Sequence, residues 1–98
     1  MNTISAESVE YDPHKARINK GKHNVTFDEA ASVVNNPYGF RVEVPDDAHS
    51  DTEERFIMIG FSNRSRLLMV VFTTRGDVIR IISARKAPRK IARKHFQL

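Results

Sequence analysis

The sequence predicts an α+β domain: two N-terminal helices, a small antiparallel sheet of about four strands, and a C-terminal helix. Three observations predict it. Two helix-start signals fall in the first third of the chain, the hydrophobic period changes to two after Pro37, and Pro88 opens an amphipathic basic segment behind the last strand. With 98 residues, the chain has the size of a single domain that buries roughly two thirds of the surface its unfolded form exposes. Residues 1–8 read as a polar, flexible N-terminus and residues 9–98 as the domain.

Val9-Glu10-Tyr11 alternates apolar and polar side chains, which leaves room for a short extra strand at the N-terminus. Asp12-Pro13 follows, an acceptor at the N-cap with proline at the first helical position. A helix is expected from Pro13 to about Lys22, its end marked by Gly21 and by Lys20, Lys22 and His23, cations suited to the negative end of a helix dipole. Thr26-Phe27-Asp28-Glu29 reads as a capping box. In such a box the Thr26 hydroxyl and the Glu29 carboxylate each satisfy a free backbone N–H, with Val25 and Ala30 as the hydrophobic staple. The second helix thus spans Phe27 to Val34, and Asn35-Asn36-Pro37 stops it.

Tyr38, Phe40, Val42 and Val44 then alternate with polar or small residues, the pattern of a half-buried strand. Pro45 to Thr52 is a polar, acidic loop. Strands are expected over 54–61, 67–74 and 78–85, joined by Ser62-Asn63-Arg64-Ser65-Arg66 and Arg75-Gly76-Asp77. Turns this short make neighbours antiparallel. Leu67 to Phe72 is apolar on both faces and belongs at the centre. In the last helix, Ile91, Ala92, His95 and Phe96 can face the sheet while Arg89, Lys90, Arg93 and Lys94 face outward.

Charge is segregated along the chain. From Arg75 to Lys94 there are eight Lys/Arg residues against one acid, Asp77, while Glu43, Asp46, Asp47, Asp51, Glu53 and Glu54 gather in one segment. The net charge of +4 therefore understates the polarity of the molecule. A basic module of this kind points to polyanions, since Lys/Arg that neutralise phosphates release condensed counterions. The chain has no cysteine, which excludes thiol catalysis, Cys-ligated zinc and disulfides. The first ten residues have neither the basic nor the apolar region of a signal peptide, and no apolar run reaches the ~18 residues of a spanning helix. A cytoplasmic protein without a membrane anchor is expected.

Arginine suits phosphate because its planar fork donates paired hydrogen bonds and stays charged. Arg75, Arg80 and Arg85 lie in or beside one strand, and Arg55 opens the strand two before it. Strict alternation separates Arg80, which points with Val78 and Ile82, from Arg85, which points with Ile79, Ile81 and Ser83. Either a bulge brings Arg85 round to the face of Arg80, or Arg85 sits beyond the strand end. Arg80 could equally pair with Asp77 or with an acid on a neighbouring strand. The four histidines show no metal-ligand spacing, so no metal site and no cofactor are expected. His23 is a candidate general acid or base, set against a simple capping role at the helix end. The glycine of Arg75-Gly76-Asp77 is explained by a hairpin turn. The basic outer face of the last helix is either solvated or, with Arg80 and Arg85 beside it, part of one continuous basic surface.

Tyr11-Asp12-Pro13, Lys15, Asn19, Lys22-His23-Asn24-Val25-Thr26-Phe27-Asp28-Glu29-Ala30, Glu54-Arg55-Phe56, Gly60, Arg75-Gly76-Asp77 and Ile79-Arg80-Ile81-Ile82-Ser83-Ala84-Arg85-Lys86-Ala87 occur in this order. Over residues 9–95 this succession resembles the BrnT family, the toxin halves of bacterial type II toxin–antitoxin pairs. Tyr11 stands where tryptophan is common in that family, Asn24 where glycine is common, Ile91 where glutamate is common and His95 where tyrosine is common. The resemblance implies a RelE-like ribonuclease fold, cleavage of RNA, growth arrest, and neutralisation by a BrnA-like antitoxin through which the complex binds its own operator DNA. It also implies that Arg55, Arg80 and Arg85 belong to the RNA site.

The reading that joins these expectations is an endoribonuclease toxin that inhibits translation by metal-independent phosphoryl transfer. Its catalytic candidates are Arg55, Arg80, Arg85 and His23, and its RNA-binding candidates are Arg75, Lys86, Arg89, Lys90 and Lys94. The alternative is a non-catalytic basic module that binds nucleic acid or an acidic partner protein.

Overall fold

The computed structural model describes residues 2–3, 8–36, 41–45 and 54–96, with strands 2–3 and 41–45 described by backbone alone. The elements in chain order are β1 (Asn2–Thr3), β2 (Ser8–Glu10), α1 (Pro13–His23), α2 (Phe27–Val34), β3 (Arg41–Pro45), β4 (Phe56–Phe61), β5 (Leu67–Arg75), β6 (Val78–Lys86) and α3 (Arg89–Phe96). This is the α+β order expected. The proposed beginning of the third strand at Tyr38–Phe40 and the acidic loop over 46–52 lie outside the described residues.

One six-stranded sheet has the order β1-β2-β6-β5-β4-β3. Strands β3 to β6 form the antiparallel meander that their short turns dictate. The extra N-terminal strand makes the sheet mixed, because β2 runs parallel to β6, with Ser8, Val9 and Glu10 opposite Val78, Ile79 and Arg80. Asn2–Thr3, within the segment expected to be flexible, pairs antiparallel with Ser8–Val9. No helix among the described residues is long and apolar enough to cross a membrane.

The β5–β6 hairpin turns through Gly76 at φ +61° and Asp77, the glycine-first arrangement whose twist suits a two-residue hairpin. The β4–β5 connection closes with the Ser62 N–H donating to the Arg66 carbonyl at 2.9 Å, and Ser65 takes the left-handed conformation at φ 59°.

The main core fills the space between α2 and one face of the sheet. It joins Val9, Val25, Phe27, Ala30, Ala31, Val33, Val34, Met58, Leu68, Val70, Phe72, Ile79, Ile81 and Ala84. Phe27, Val33 and Val34 alone remove three large side chains from water, each worth about 2 kcal/mol before entropy is counted. Val25 and Ala30, the expected staple, are both fully buried. The capping box itself is only half formed. The Thr26 hydroxyl accepts the Glu29 N–H at 3.0 Å as expected, but the Glu29 carboxylate does not turn back to the N-cap. It accepts both from Arg66 and, at 2.6 Å, from the Ser62 hydroxyl of the β4–β5 turn. A cation from another element outcompetes a backbone amide for a buried carboxylate, because ion pairing offsets more of the desolvation cost.

Helix α1 has no comparable apolar face, and Asn19 is its one buried residue. The Asp12 carboxylate caps it by accepting the His14 N–H at 2.8 Å. Asn24 closes it in the left-handed conformation, φ 56°, with its N–H donating to the Lys20 carbonyl at 2.9 Å. Asparagine tolerates this region better than most residues, which explains its presence where glycine would serve. The closing residue is thus Asn24, and His23 lies in the last turn rather than at the cap.

Candidate functional site

Strand β6 builds the site through an irregularity. Val71 pairs with Ser83 but Phe72 pairs with Ile81, so Ile82 is an extra residue opposite the β5 ladder. Such a bulge reverses the alternation beyond it. Ile79, Ile81 and Ala84 all enter the core, whereas Arg80, Ser83 and Arg85 oppose Thr73, Val71 and Met69 on the other face. Of the two arrangements the sequence leaves open for Arg85, the structure has the bulge.

On this second face, Arg55 immediately precedes Phe56, the partner of Phe72, and Arg80 is the partner of the next residue, Thr73. Arg55 and Arg80 therefore flank β5 at about 10 Å, two inter-strand spacings. The Thr73 hydroxyl donates to the Glu54 carbonyl at 2.7 Å, which fixes the backbone just before Arg55. Arg75 shares the face by register and stands at the exposed hairpin end. Arg85 is exposed and lies roughly 15 Å from Arg80 along the strand. These four arginines thus share a face without converging on one point. They suit separate phosphates of an extended chain better than one phosphate.

Arg80 has a protein partner. Its Nη1 donates to Glu10 Oε1 at 3.1 Å, and each of the two side chains keeps 31% of its surface in solvent. Parallel pairing sets Glu10 directly opposite Arg80. Of the two pairings weighed for Arg80, the structure has the acid on the neighbouring strand, not Asp77. Glu10 is a partner of Arg80 that the sequence does not reveal, because nothing local in Val9-Glu10-Tyr11 shows which strand it will lie beside.

The remaining candidates are dispersed. His23 is half-buried and lines a cleft of about 170 Å³ with Lys15, Ile18, Asn19, Lys22, Ile82 and Ser83. It thus opens beside the bulge and not onto the Glu10–Arg80 pair. Lys86 opposes Leu68 and falls by register on the core side, away from Arg85. Arg89, Lys90 and Lys94 are exposed on α3, whose Phe96 ring meets Phe61 edge-on at 5.9 Å. Ala92, Ile91, His95 and Phe96 form the covered side of that helix, as its spacing predicts. The ring contact seats the helix at the Phe61 end of β4. Among the described residues, no three His, Asp or Glu side chains gather to hold a metal ion.

Residues 11–90 match the family described as "Ribonuclease toxin, BrnT, of type II toxin-antitoxin system". The fold is similar to the crystal structure of the Brucella abortus ribonuclease toxin BrnT, with a TM-score of 0.61 and 21% sequence identity over 86% of this chain and 100% of that one. No curated protein sequence matches.

Proposed function

The chain belongs to the BrnT family, the ribonuclease toxins of type II toxin–antitoxin systems, and on that premise we propose that it cleaves RNA on the open face of its sheet. The RNA 2′-oxygen attacks the adjacent phosphorus, the bond to the 5′-oxygen breaks, and a cyclic phosphate remains. Such chemistry depends on cations preorganised around the phosphate oxygens, an effect typically worth about 3 kcal/mol per donor. The arginines supply that charge without a metal. Arg80 holds the reacting phosphate, Arg55, Arg85 and Arg75 hold flanking ones, and Arg89, Lys90 and Lys94 draw the strand in. Lys86, on the core side of β6, and His23, in the cleft beside the bulge, stand apart from this phosphate clamp.

The observation that carries this reading is the bulge at Ile82, which gathers Arg80 and Arg85 on the face opposite the core that α2 fills. The biological partner is a BrnA-like antitoxin in the cytoplasm, through which the complex binds its operator DNA. Purified protein incubated with RNA, with and without EDTA, tests the activity. Cleavage that persists with chelator and leaves a cyclic phosphate end is expected. Tight binding without cleavage would return the protein to the class of non-catalytic binding modules. Expression without the antitoxin should arrest growth, and co-expression of the antitoxin should restore it.

A further inference from the structure

We infer that Glu10 is the general base of this site, taking the proton from the RNA 2′-OH while Arg80 binds the adjacent phosphate. This rests on the ribonuclease reading above. The geometry that points to Glu10 is the juxtaposition of a carboxylate and a guanidinium at 3.1 Å on the open face, both still in contact with solvent. A purely structural ion pair needs no access to water on both sides. A base and a phosphate clamp need it, because substrate must reach each of them.

The elements fix the pair. Val9 is 1% exposed and anchors β2 in the core, so the next residue must point to the opposite face. Parallel register then brings Glu10 level with Arg80. Only one terminal nitrogen of Arg80 is given to Glu10, which leaves the rest of the fork to donate to phosphate. A phosphate accepting from those remaining nitrogens stands beside the carboxylate that Arg80 also holds.

The other charged groups about this point are Arg55, across Thr73, and Arg75 and Asp77 at the hairpin end. Asp12, two residues along the chain, is committed to the cap of α1. His23 opens into the cleft beside Ile82. Glu10 is thus the carboxylate that Arg80 holds on the face where RNA binds. In the step, the 2′-OH proton passes to the Glu10 carboxylate, the O2′–P bond forms and the P–O5′ bond breaks. The departing 5′-oxygen takes a proton from water, and Glu10 later returns its proton to solvent.

Glu10→Gln is the informative variant, because its amide oxygen still accepts from Arg80 but cannot serve as base. Single-turnover cleavage of a defined RNA oligonucleotide should fall about 100-fold or more, while affinity for the oligonucleotide is retained or rises. The wild-type rate should decline on the acid side, and this limb should be missing from the Glu10→Gln profile. Glu10→Asp, which keeps a carboxylate, should be slower than wild type yet keep the limb. A Glu10→Gln protein that cleaves at near the wild-type rate would overturn the inference alone. So would a Glu10→Asp profile without an acid limb. Wild-type protein that binds the oligonucleotide and leaves it intact would overturn the nuclease reading and this inference with it.

Discussion

Arg80 and Arg85 lie five positions apart on β6 and yet share a face, because Ile82 has no partner of its own on β5. An odd spacing that alternation would place on opposite sides becomes an even one. The electrostatic surface of the protein therefore depends on a local irregularity of the ladder as much as on the identity of its cations.

Arg80→Ala should lower single-turnover RNA cleavage by roughly 100-fold or more, the usual loss when one preorganised donor to an oxyanion is removed. Far-ultraviolet circular dichroism should remain native, since the side chain is partly solvated and stands outside the main core. Loss of the native spectrum would make Arg80 a structural residue instead.

Arg85→Ala should act differently. Standing roughly 15 Å from Arg80, it should weaken RNA binding several-fold and leave the cleavage rate at saturating RNA nearly intact. A collapse of the saturated rate would mean that Arg85 reaches the reacting phosphate.

Lys90→Ala and Lys94→Ala should each reduce the slope of log binding constant against log salt by about 0.7, the contribution of one contact to a single-stranded phosphate. Both residues are exposed on α3, so thermal stability should hardly change. Unchanged slopes would assign that helix face to solvation alone.

Glu29 supplies a pH dependence whose sign can be worked out. Hydrogen bonds from Arg66 hold its carboxyl below the ordinary carboxylate value, burial opposes them, and Ser62 adds to the lowering. A carboxyl depressed by folding adds stability that is complete above its unfolded value, near 4.5, and is lost as pH falls through its folded value. The melting temperature should thus fall below about pH 4.5. Glu29→Gln should melt lower at pH 7 and lose less on acidification, as measured by thermal denaturation. Equal acid slopes in the two proteins would contradict the assignment.

Most of the fold was legible in the sequence. Phe27–Val34 was bounded by Thr26 and by Asn35-Asn36-Pro37, and the three later strands by turns whose chemistry is local. What was not legible involved partners distant in the chain. The Thr26–Glu29 spacing specified a capping box, but Arg66, brought near only by the β4–β5 turn, captured the carboxylate. Asn24 in place of glycine was explicable from backbone physics, whereas the pairing of Glu10 with Arg80 required knowing that β2 runs parallel to β6. The bulge was foreseeable as one of two alternatives, because periodicity detects that alternation must break without saying where.

Asn19 donates through Nδ2 to the Ala84 carbonyl at 2.8 Å and to the Val25 carbonyl at 3.0 Å, and its Oδ1 accepts the Ala84 N–H at 3.1 Å. A side-chain amide thus imitates a length of neighbouring strand where β2 has already ended. Asn19→Ala leaves these buried backbone groups unsatisfied and should cost about 2 kcal/mol or more, read as a lowered denaturant midpoint. An unchanged midpoint would show that water replaces the amide.

A sheet grows by accretion wherever its border offers a row of unsatisfied peptide groups, and this is the usual route to fibres and swapped dimers. Asn19 plugs that border on β6, and the two residues of β1 are too few to template another chain. The five-residue β3 forms the other end of the strand order. One buried asparagine on a helix with almost no apolar face therefore occupies the border of β6 at Ala84 as well as holding the helix in place.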